Sequence, residues 1–399
     1  MVHFLHMADL HLDRPLPLPP GLDDDKQDWL RKAPLRALEK AVTAAVKKQV
    51  DFVLISGDIY HKADRSVHAF WAFRNQMVRL SDAAIPVYMI HGNHDPVSAG
   101  TNYFKLPANV HVFPPEGEAV WHWTKTGGGW IYGFSYPEPA YTETPYHHYI
   151  KQHGGDFHIA LLHGQAGSDT SHAPYAPFQP SELRQLQMDY WALGHIHQRQ
   201  LLMEDPPIVY PGSLTGLTRK ETGEKGVYEV RMPSSGRPDL YFLPCADVLQ
   251  HTVVTSIQHL YHMDEWIQSV KRALPETEAH ILLTVQVKGS GRLHQLFRQQ
   301  REETAAVLES ELHSFSCTLM RLDVQTASST RDTNSPVVQD ILDLSGREET
   351  RKELDQRLEG LHMHGSIRRH AAFPDEQTKE ELLKQAADEL LLTLEEEVE

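Results

Sequence analysis

Val2-His3-Phe4-Leu5-His6-Met7-Ala8-Asp9-Leu10-His11 is an apolar run followed at once by a carboxylate and an imidazole. Val2 to His6 reads as a short buried strand, and Asp9 and His11 stand at its carboxyl end, the edge where open α/β sheets hold their ligands. Outward along the chain the arrangement recurs. The strand Asp51 to Ser56 ends in Gly57-Asp58, Pro86 to Ile90 in Gly92-Asn93-His94-Asp95, Phe157 to Leu162 in His163-Gly164, and Tyr190 to Leu193 in Gly194-His195-Ile196-His197. Helical patterns at Trp29 to Lys48 and Ser66 to Leu80 separate the first three strands, so the alternation predicts an α/β fold with layered sheets. Further strands are expected at Trp130 to Phe134, Ile208 to Tyr210, Gly226 to Arg231 and Asp239 to Leu243.

These strand ends deliver one kind of side chain. Imidazoles with Asp and Asn oxygens suit Mn²⁺, Fe²⁺ or Zn²⁺, and the lack of thiolates disfavours a structural zinc site. A carboxylate such as Asp58 can bridge two cations about 3.5 to 4 Å apart, the spacing that clamps both oxygens of a phosphoryl displacement, with a bridging water as nucleophile. Glycines before Asp58, Asn93 and His195 are expected to let the chain turn sharply there. Any single histidine among 26 is more simply a surface or core residue. His91, His122, His147, His148 and His172 take that reading. Asp9, His11, Asp58, Asn93, His163, His195 and His197 escape it, because strand-end position, order and neighbouring glycine recur together.

At these residues the chain resembles the calcineurin-like metallophosphoesterase superfamily, whose five motifs occur here in the same order. Within it the chain is most similar to the DNA-repair exonuclease branch of SbcD and YhaO type. Gly57-Asp58-Ile59-Tyr60-His61 carries that branch's extra histidine, and Tyr210-Pro211-Gly212-Ser213 and Gly223-Glu224-Lys225-Gly226 resemble its later motifs. The resemblance implies a four-layer α-β-β-α sandwich with a small capping domain. It implies one metal on Asp9, His11, Asp58 and His197 and a second on Asp58, Asn93, His163 and His195. His94 would then stand beside the scissile phosphate as transition-state stabiliser or proton donor, and His61 would contact or orient the phosphate. Asp13-Arg14-Pro15 departs from the small residue usual after the first motif, and Arg14 is expected to reach the phosphate. Arg219 and Lys220 are further candidate substrate contacts.

A chain of 399 residues exceeds one ordinary core. Residues 1–245 are assigned to catalysis. Over 246–326 the order strand (Thr252 to Ser256), helix (Asp264 to Leu274), strand (His280 to Val287), helix (Leu293 to His313), strand (Thr318 to Val324) predicts a compact βαβαβ unit, which the resemblance implies is the capping domain. Residues 327–336 read as a polar linker, and 337–399 as an acidic helical region with helices at Val337 to Leu344, Arg347 to Leu361 and Glu376 to Val398. There Leu382, Leu383, Ala386, Leu390, Leu391 and Leu394 form a stripe that must bury against the chain itself or a partner. The resemblance makes that partner an SMC-like ABC ATPase with coiled-coil arms. The helix from Ser66 carries Val67, Phe70, Trp71, Phe73, Met77 and Leu80, more aromatic surface than one buried stripe needs, and the resemblance implies a homodimer interface there.

The net charge of −16 resides mostly in the tail: residues 1–250 hold 22 Lys+Arg against 27 Asp+Glu, 251–300 hold 5 against 4, and 301–399 hold 11 against 23. Two divalent cations would nearly offset the deficit of the catalytic part, so the charge does not argue against a polyanionic substrate. No apolar run reaches the roughly 18 residues that span a bilayer. The N-terminus shows no basic leader, and Cys245 and Cys317 have no paired spacing, so a cytoplasmic protein is expected.

The reading that joins these features is an Mn²⁺-dependent two-metal phosphodiesterase, a DNA exonuclease or endonuclease of repair acting through a metal-bridging hydroxide with His94 assisting. The same cage would serve a metallophosphatase or phosphodiesterase for small or protein-borne phosphoesters. A third reading, a DNA-binding scaffold subunit of an ATPase complex, has the intact ligand set against it. The loop Ser168 to Pro180, with His172, Tyr175 and Phe178, is a candidate platform for stacking bases.

Overall fold

The computed structural model describes the chain except residues 20, 62–65, 100–103, 168–174, 235, 328–335, 364–373, 376–377, 381, 384–385 and 388–399. In chain order it shows β1 (Val2–Met7), α1 (Asp24–Arg31), α2 (Ala33–Lys48), β2 (Phe52–Ser56), α3 (Val67–Asp82), β3 (Val87–Ile90), β4 (Val110–Val112), β5 (Glu118–Thr124) and β6 (Gly127–Gly133). There follow β7 (His158–His163), α4 (Pro180–Gln185), β8 (Tyr190–Gly194), β9 (Gln200–Glu204), β10 (Pro207–Tyr210), β11 (Gly226–Met232) and β12 (Asp239–Pro244).

These strands form two six-stranded sheets, ordered β12-β11-β1-β2-β3-β4 and β5-β6-β7-β8-β10-β9. In the first, β1 to β4 are parallel and β11 and β12 run against them. In the second, β6, β7, β8 and β10 are parallel, with antiparallel β5 and β9 at the edges. Strands covered on both faces read as continuous apolar runs, as β2 does. Phe52 and Leu54 face the other sheet beside Phe4 and Ile159, while Val53 and Ile55 pack with Leu38, Val42, Phe73 and Met77 of α2 and α3. Phe4 and Phe52 stack with centroids 5.1 Å apart. The far side of the second sheet buries Tyr132, Leu162, Trp191 and Leu193 with Leu183 of α4. The layers are therefore helix, sheet, sheet, helix, and each fully buried large apolar side chain stabilises them by about 1.5 to 3 kcal/mol.

The single helix expected over Trp29 to Lys48 is two. α1 starts earlier because Asp23 caps it, its carboxylate accepting from Lys26 N at 2.8 Å. Pro34, which has no N–H to give, sits in the first turn of α2 and forces the restart at Lys32. Strands β4, β5 and β9 and the short α4 had no clear sequence signal, being brief or at edges.

By internal contacts the chain divides into two units, one of Met1–Thr252, Pro275–Thr284 and Leu312–Arg321, the other of Val253–Leu274, Val285–Glu311 and Leu322–Glu399. After β12 come β13 (Val248–Ser256), α5 (Met263–Arg272), β14 (His280–Ser290), α6 (His294–Gln299), α7 (Arg301–Glu311) and β15 (Cys317–Ala327), the strands forming a sheet in the order β13-β14-β15. The helix expected over Leu293 to His313 is broken at Gln300, whose φ of −120° and ψ of 40° are not helical. In the second unit the rings of Trp266 and Phe297 meet at 4.7 Å, and Trp266 Nε1 donates to Thr255 Oγ1 at 2.9 Å. Two helices follow, α8 (Pro336–Gly346) and α9 (Glu348–His362). Most of the expected linker and of the final helix lies outside the described residues. No helix among the described residues is long and apolar enough to cross a membrane.

Candidate active site and metal centre

Strands β1 and β2 keep parallel register as far as Met7 opposite Ile55. Beyond that pair the loops continue the ladder: Asp9 N donates to Gly57 O at 3.1 Å, His11 N to Asp58 O at 3.1 Å and Leu12 N to Ile59 O at 3.0 Å. This zipper sets Asp9 and His11 beside Asp58. It also bends the backbone. Asp9, His11, Asp58 and His195 hold φ of 52°, 42°, 54° and 100°, a left-handed region that costs side-chain-bearing residues about 1 to 3 kcal/mol each and clusters at functional sites.

The flanking glycines act in two ways. Gly57, at φ 90°, turns the chain as expected, but Gly92 and Gly194 are not left-handed and instead clear space. A Cβ on Gly92 would lie 2.3 Å from Asp58 Oδ1, and one on Gly194 would lie 1.9 Å from Ser56 O. The missing side chain at Gly194 lets the second sheet close on the first.

Across that approach the second sheet supplies three imidazoles. His163, ending β7, donates from Nδ1 to Ser56 O at 2.9 Å, which turns Nε2 toward Asn93 Oδ1 at 3.0 Å and Asp58 Oδ2 at 3.4 Å. His195 donates its backbone N–H to both oxygens of Asp9 at 3.1 Å, and its Nδ1 lies 3.2 Å from Asn93 Oδ1. His197 Nε2 lies 3.1 Å from His11 Nε2, which is 3.8 Å from Asp58 Oδ2. All seven residues singled out from strand ends thus meet at one edge. Asp9, His11, Asp58, Asn93 and His163 are buried, and His195 and His197 are half-buried.

The donor set fits divalent metal. Bonds of about 2.0 to 2.2 Å leave neighbouring ligand atoms roughly 3.0 to 3.5 Å apart around one cation, the range of the separations above except that of His11 from Asp58. Two carboxylate-histidine groups, Asp9 with His11 and His197 and Asp9 with Asp58 and His163, bring their ligand atoms within 4.8 Å of one another. Nitrogen with hard oxygen and no thiolate suits the first-row divalent ions. Burial and neighbouring charge shift the titrating groups in opposite directions. Burial holds the Asp9 carboxyl above its ordinary value. Burial would do the same to Asp58, but the His163 cation beside it outweighs that and holds Asp58 below the usual carboxylate range. His163 answers in kind: burial disfavours its charge, yet Asp58 lifts its pKa to about 9. Burial pushes His11 and His195 down to about 3.

His94 and His61 stand beside this cluster. His94 donates its backbone N–H to Asp58 Oδ1 at 2.9 Å, its ring lies 5.2 Å from that of His11, and it stacks on His61 with centroids 4.4 Å apart. Burial lowers the His94 pKa while Asp58 opposes the shift, and the Arg14 charge is felt there as well. Arg219 and Lys220 are exposed on the turn before Glu221. Among the described residues neither enters the polar contacts that build the site.

Three acids went unassigned in the sequence. Asp95 accepts from Gly92 N and Ile59 N, each at 2.8 Å, and so ties two loops together. Asp13 Oδ1 accepts from His61 N at 2.6 Å. Glu221 Oε1 lies 3.2 Å from His197 Nδ1. Asp95 and Asp13 adjoin the quoted motifs and could have been noticed, whereas nothing local marks Glu221. Of the ordinary histidines, His122 bonds Tyr88 OH at 2.8 Å and His148 stacks on Phe134 at 4.3 Å, both structural roles. His172 lies outside the described residues. Phe178, expected on a stacking loop, is buried in the core and unavailable to a base, while the Tyr175 ring lies 5.2 Å from that of His195.

The sequence profile of the calcineurin-like phosphoesterases matches residues 2–199. The uncharacterized metallophosphoesterase YhaO of Bacillus subtilis is 32% identical over 94% of both chains. The DNA double-strand break repair protein Mre11 of Aeropyrum pernix is 27% identical over 57% of this chain and 56% of its own. That of Archaeoglobus fulgidus is 29% identical over 26% of this chain and 21% of its own. With the cluster of Asp, Asn and His at the carboxyl edge of both sheets, these matches establish that the chain belongs to the calcineurin-like phosphoesterase family, a family of metal-dependent hydrolases.

Proposed function

We propose that the protein is a two-metal phosphodiesterase that cleaves DNA in repair, with Mn²⁺ as its metal. One observation carries this reading: Asp58 lies between His11, paired with His197, and His163, grouped with Asn93 and His195, while His94 and His61 stack outside both groups. Asp9, His11, Asp58 and His197 would hold one cation, and Asp58, Asn93, His163 and His195 the other. Such a pair, when bound, polarises a phosphoryl centre and lowers the pKa of water.

The remaining groups handle the substrate. His94, tied by its backbone to Asp58 and stacked on His61 outside both groups, would serve as transition-state stabiliser or proton donor to the leaving oxygen. His61, its backbone held by Asp13, packs against that ring and keeps it facing the phosphate. Arg14 would take a phosphate oxygen, and the exposed Arg219 and Lys220 would meet the strand further out. The relatives titled DNA double-strand break repair proteins favour DNA over a small phosphoester.

In this reading residues 1–245 catalyse, 246–326 cap the substrate, 327–336 link, and 337–399 dock an SMC-like ABC ATPase in the cytoplasm. The exposed Val67 and Trp71 of α3 are offered as a homodimer face. The test incubates metal-free protein and Mn²⁺ with end-labelled single- and double-stranded DNA, an aryl phosphodiester and an aryl phosphomonoester. Cleavage of DNA and the diester is expected. Rapid turnover of the monoester with DNA left intact would overturn the reading in favour of a metallophosphatase.

A further inference from the structure

Two motifs of the sequence, Tyr210-Pro211-Gly212-Ser213 and Gly223-Glu224-Lys225-Gly226, flank a segment of which the chemistry above uses only the exposed Arg219 and Lys220. Its contacts converge on His197. The His197 carbonyl accepts from Ser213 N at 3.1 Å and the buried Lys225 Nζ at 2.7 Å, with Ser213 Oγ 3.4 Å away. Its ring Nδ1 faces Glu221 Oε1 at 3.2 Å. Gly212, at φ 80°, permits the close pass, since a Cβ there would lie 2.9 Å from both His197 O and Arg199 N.

Glu221 is itself held on every side. Oε2 accepts from Leu217 N at 3.1 Å and Ser213 Oγ at 3.2 Å, and Oε1 accepts from Thr218 Oγ1 at 3.0 Å. A carboxylate fixed in this way can accept one more proton donor, the Nδ1–H of His197. That tautomer leaves a lone pair on Nε2, the atom that lies 3.1 Å from His11 Nε2. Which ring nitrogen of a histidine binds metal is set by the hydrogen bond that the other one makes.

We propose that Glu221 is the positioning residue for His197, and that Ser213 to Lys225 clamps this histidine by ring and backbone so that Nε2 is presented to a metal shared with His11. The inference rests on the metal cage assigned under the proposed function. It gives Ser213, Glu221 and Lys225, between β10 and β11, a task at the site without contact to substrate.

The test titrates Mn²⁺ calorimetrically into chelator-treated wild type, Glu221→Ala, Glu221→Gln and His197→Ala. Loss of such a carboxylate partner typically weakens metal binding about 10- to 100-fold. Glu221→Ala should show that loss at one of two sites. Glu221→Gln, whose amide oxygen can still accept from Nδ1, should recover most of it. Equal affinity in wild type and Glu221→Ala overturns the proposal, as does a Gln variant no better than Ala. A measurement on wild type avoids variants that do not fold: in Zn²⁺-loaded protein, long-range ¹H–¹⁵N spectra of labelled histidine should show the resonances lost in His197→Ala with the proton on Nδ1 and metal on Nε2. The opposite tautomer overturns the proposal for Glu221 alone. Undiminished Mn²⁺ binding in His197→Ala overturns the cage, and this inference with it.

Discussion

The imidazoles of His61 and His94 lie nearly face to face, 4.4 Å between centroids and 27° between planes, against an edge of His11. Among the described residues neither ring belongs to the two groups whose ligand atoms lie within 4.8 Å of one another. His94→Asn should lower kcat on an aryl phosphodiester by about 10²- to 10⁴-fold, the usual worth of a general acid, with Mn²⁺ affinity retained. His61→Asn should lower it less, since it removes only a neighbour of that ring. Steady-state kinetics beside calorimetric titration separates the two, and full activity in His94→Asn would remove it from the mechanism.

Asp58 touches both halves of the cluster, through His11 at 3.8 Å and His163 at 3.4 Å. Asp58→Asn should therefore abolish hydrolysis and also the thermal stabilisation by Mn²⁺. For wild type that stabilisation is about 2.7 kcal/mol when free metal is 100 times its Kd. Scanning calorimetry with and without Mn²⁺ reads it. Chelation of wild type should reproduce the lower melting temperature.

Gly194→Ala places a methyl group where Ser56 O already stands. Because the obstacle is backbone, the sheets must part or His195 must move. Overpacking typically costs about 1 to 3 kcal/mol, and denaturant unfolding of the metal-free variant should show at least that, with weaker Mn²⁺ binding.

His6 is buried between the sheets, its ring nitrogens near Tyr190 OH at 3.0 Å and Leu193 O at 3.1 Å, and burial pushes its pKa down to about 3 from 6.5. In this case the unfolded chain takes up the proton more readily than the folded one. Stability is therefore unaffected above pH 6.5 and is lost as pH falls from 6.5 toward 3, by up to about 1.4 kcal/mol per pH unit. The difference in unfolding free energy between wild type and His6→Gln, measured on chelated protein across that window, should shrink as the solution is acidified. A constant difference would show that His6 is not the group responsible.

Cys245 is buried, and its thiol is pushed up to about 12, while Cys317 is half-exposed. A thiolate-directed reagent at pH 8 should modify Cys317 alone in the native state and both cysteines in denaturant, as intact-mass spectrometry will count.

Much of the site was legible because a strand-end ligand announces itself locally: an apolar run ending in Asp, Asn or His, with a glycine adjoining Asp58, Asn93, His163 and His195. That pattern located Asp9, Asp58, Asn93, His163 and His195 without any knowledge of how the sheets face. The sheet order was not legible, since β11, which pairs with β1, joins them across more than 200 positions of sequence. Nor was Glu221, whose role depends on a long excursion returning to His197. The break of α1 from α2 was missed for a local reason: helical periodicity runs through Lys32, and only the proline and the Asp23 cap divide it.

The close approach at Gly194 has a consequence for how the molecule could be divided. Asp9, His11, Asp58, Asn93 and His94 come from the strands before β5, and His163, His195 and His197 from those after it. Neither half of the sequence carries the whole of the proposed cage. Two fragments cut between Val112 and Glu118 would each lack part of that ligand set, and recovered metal uptake would report their reunion.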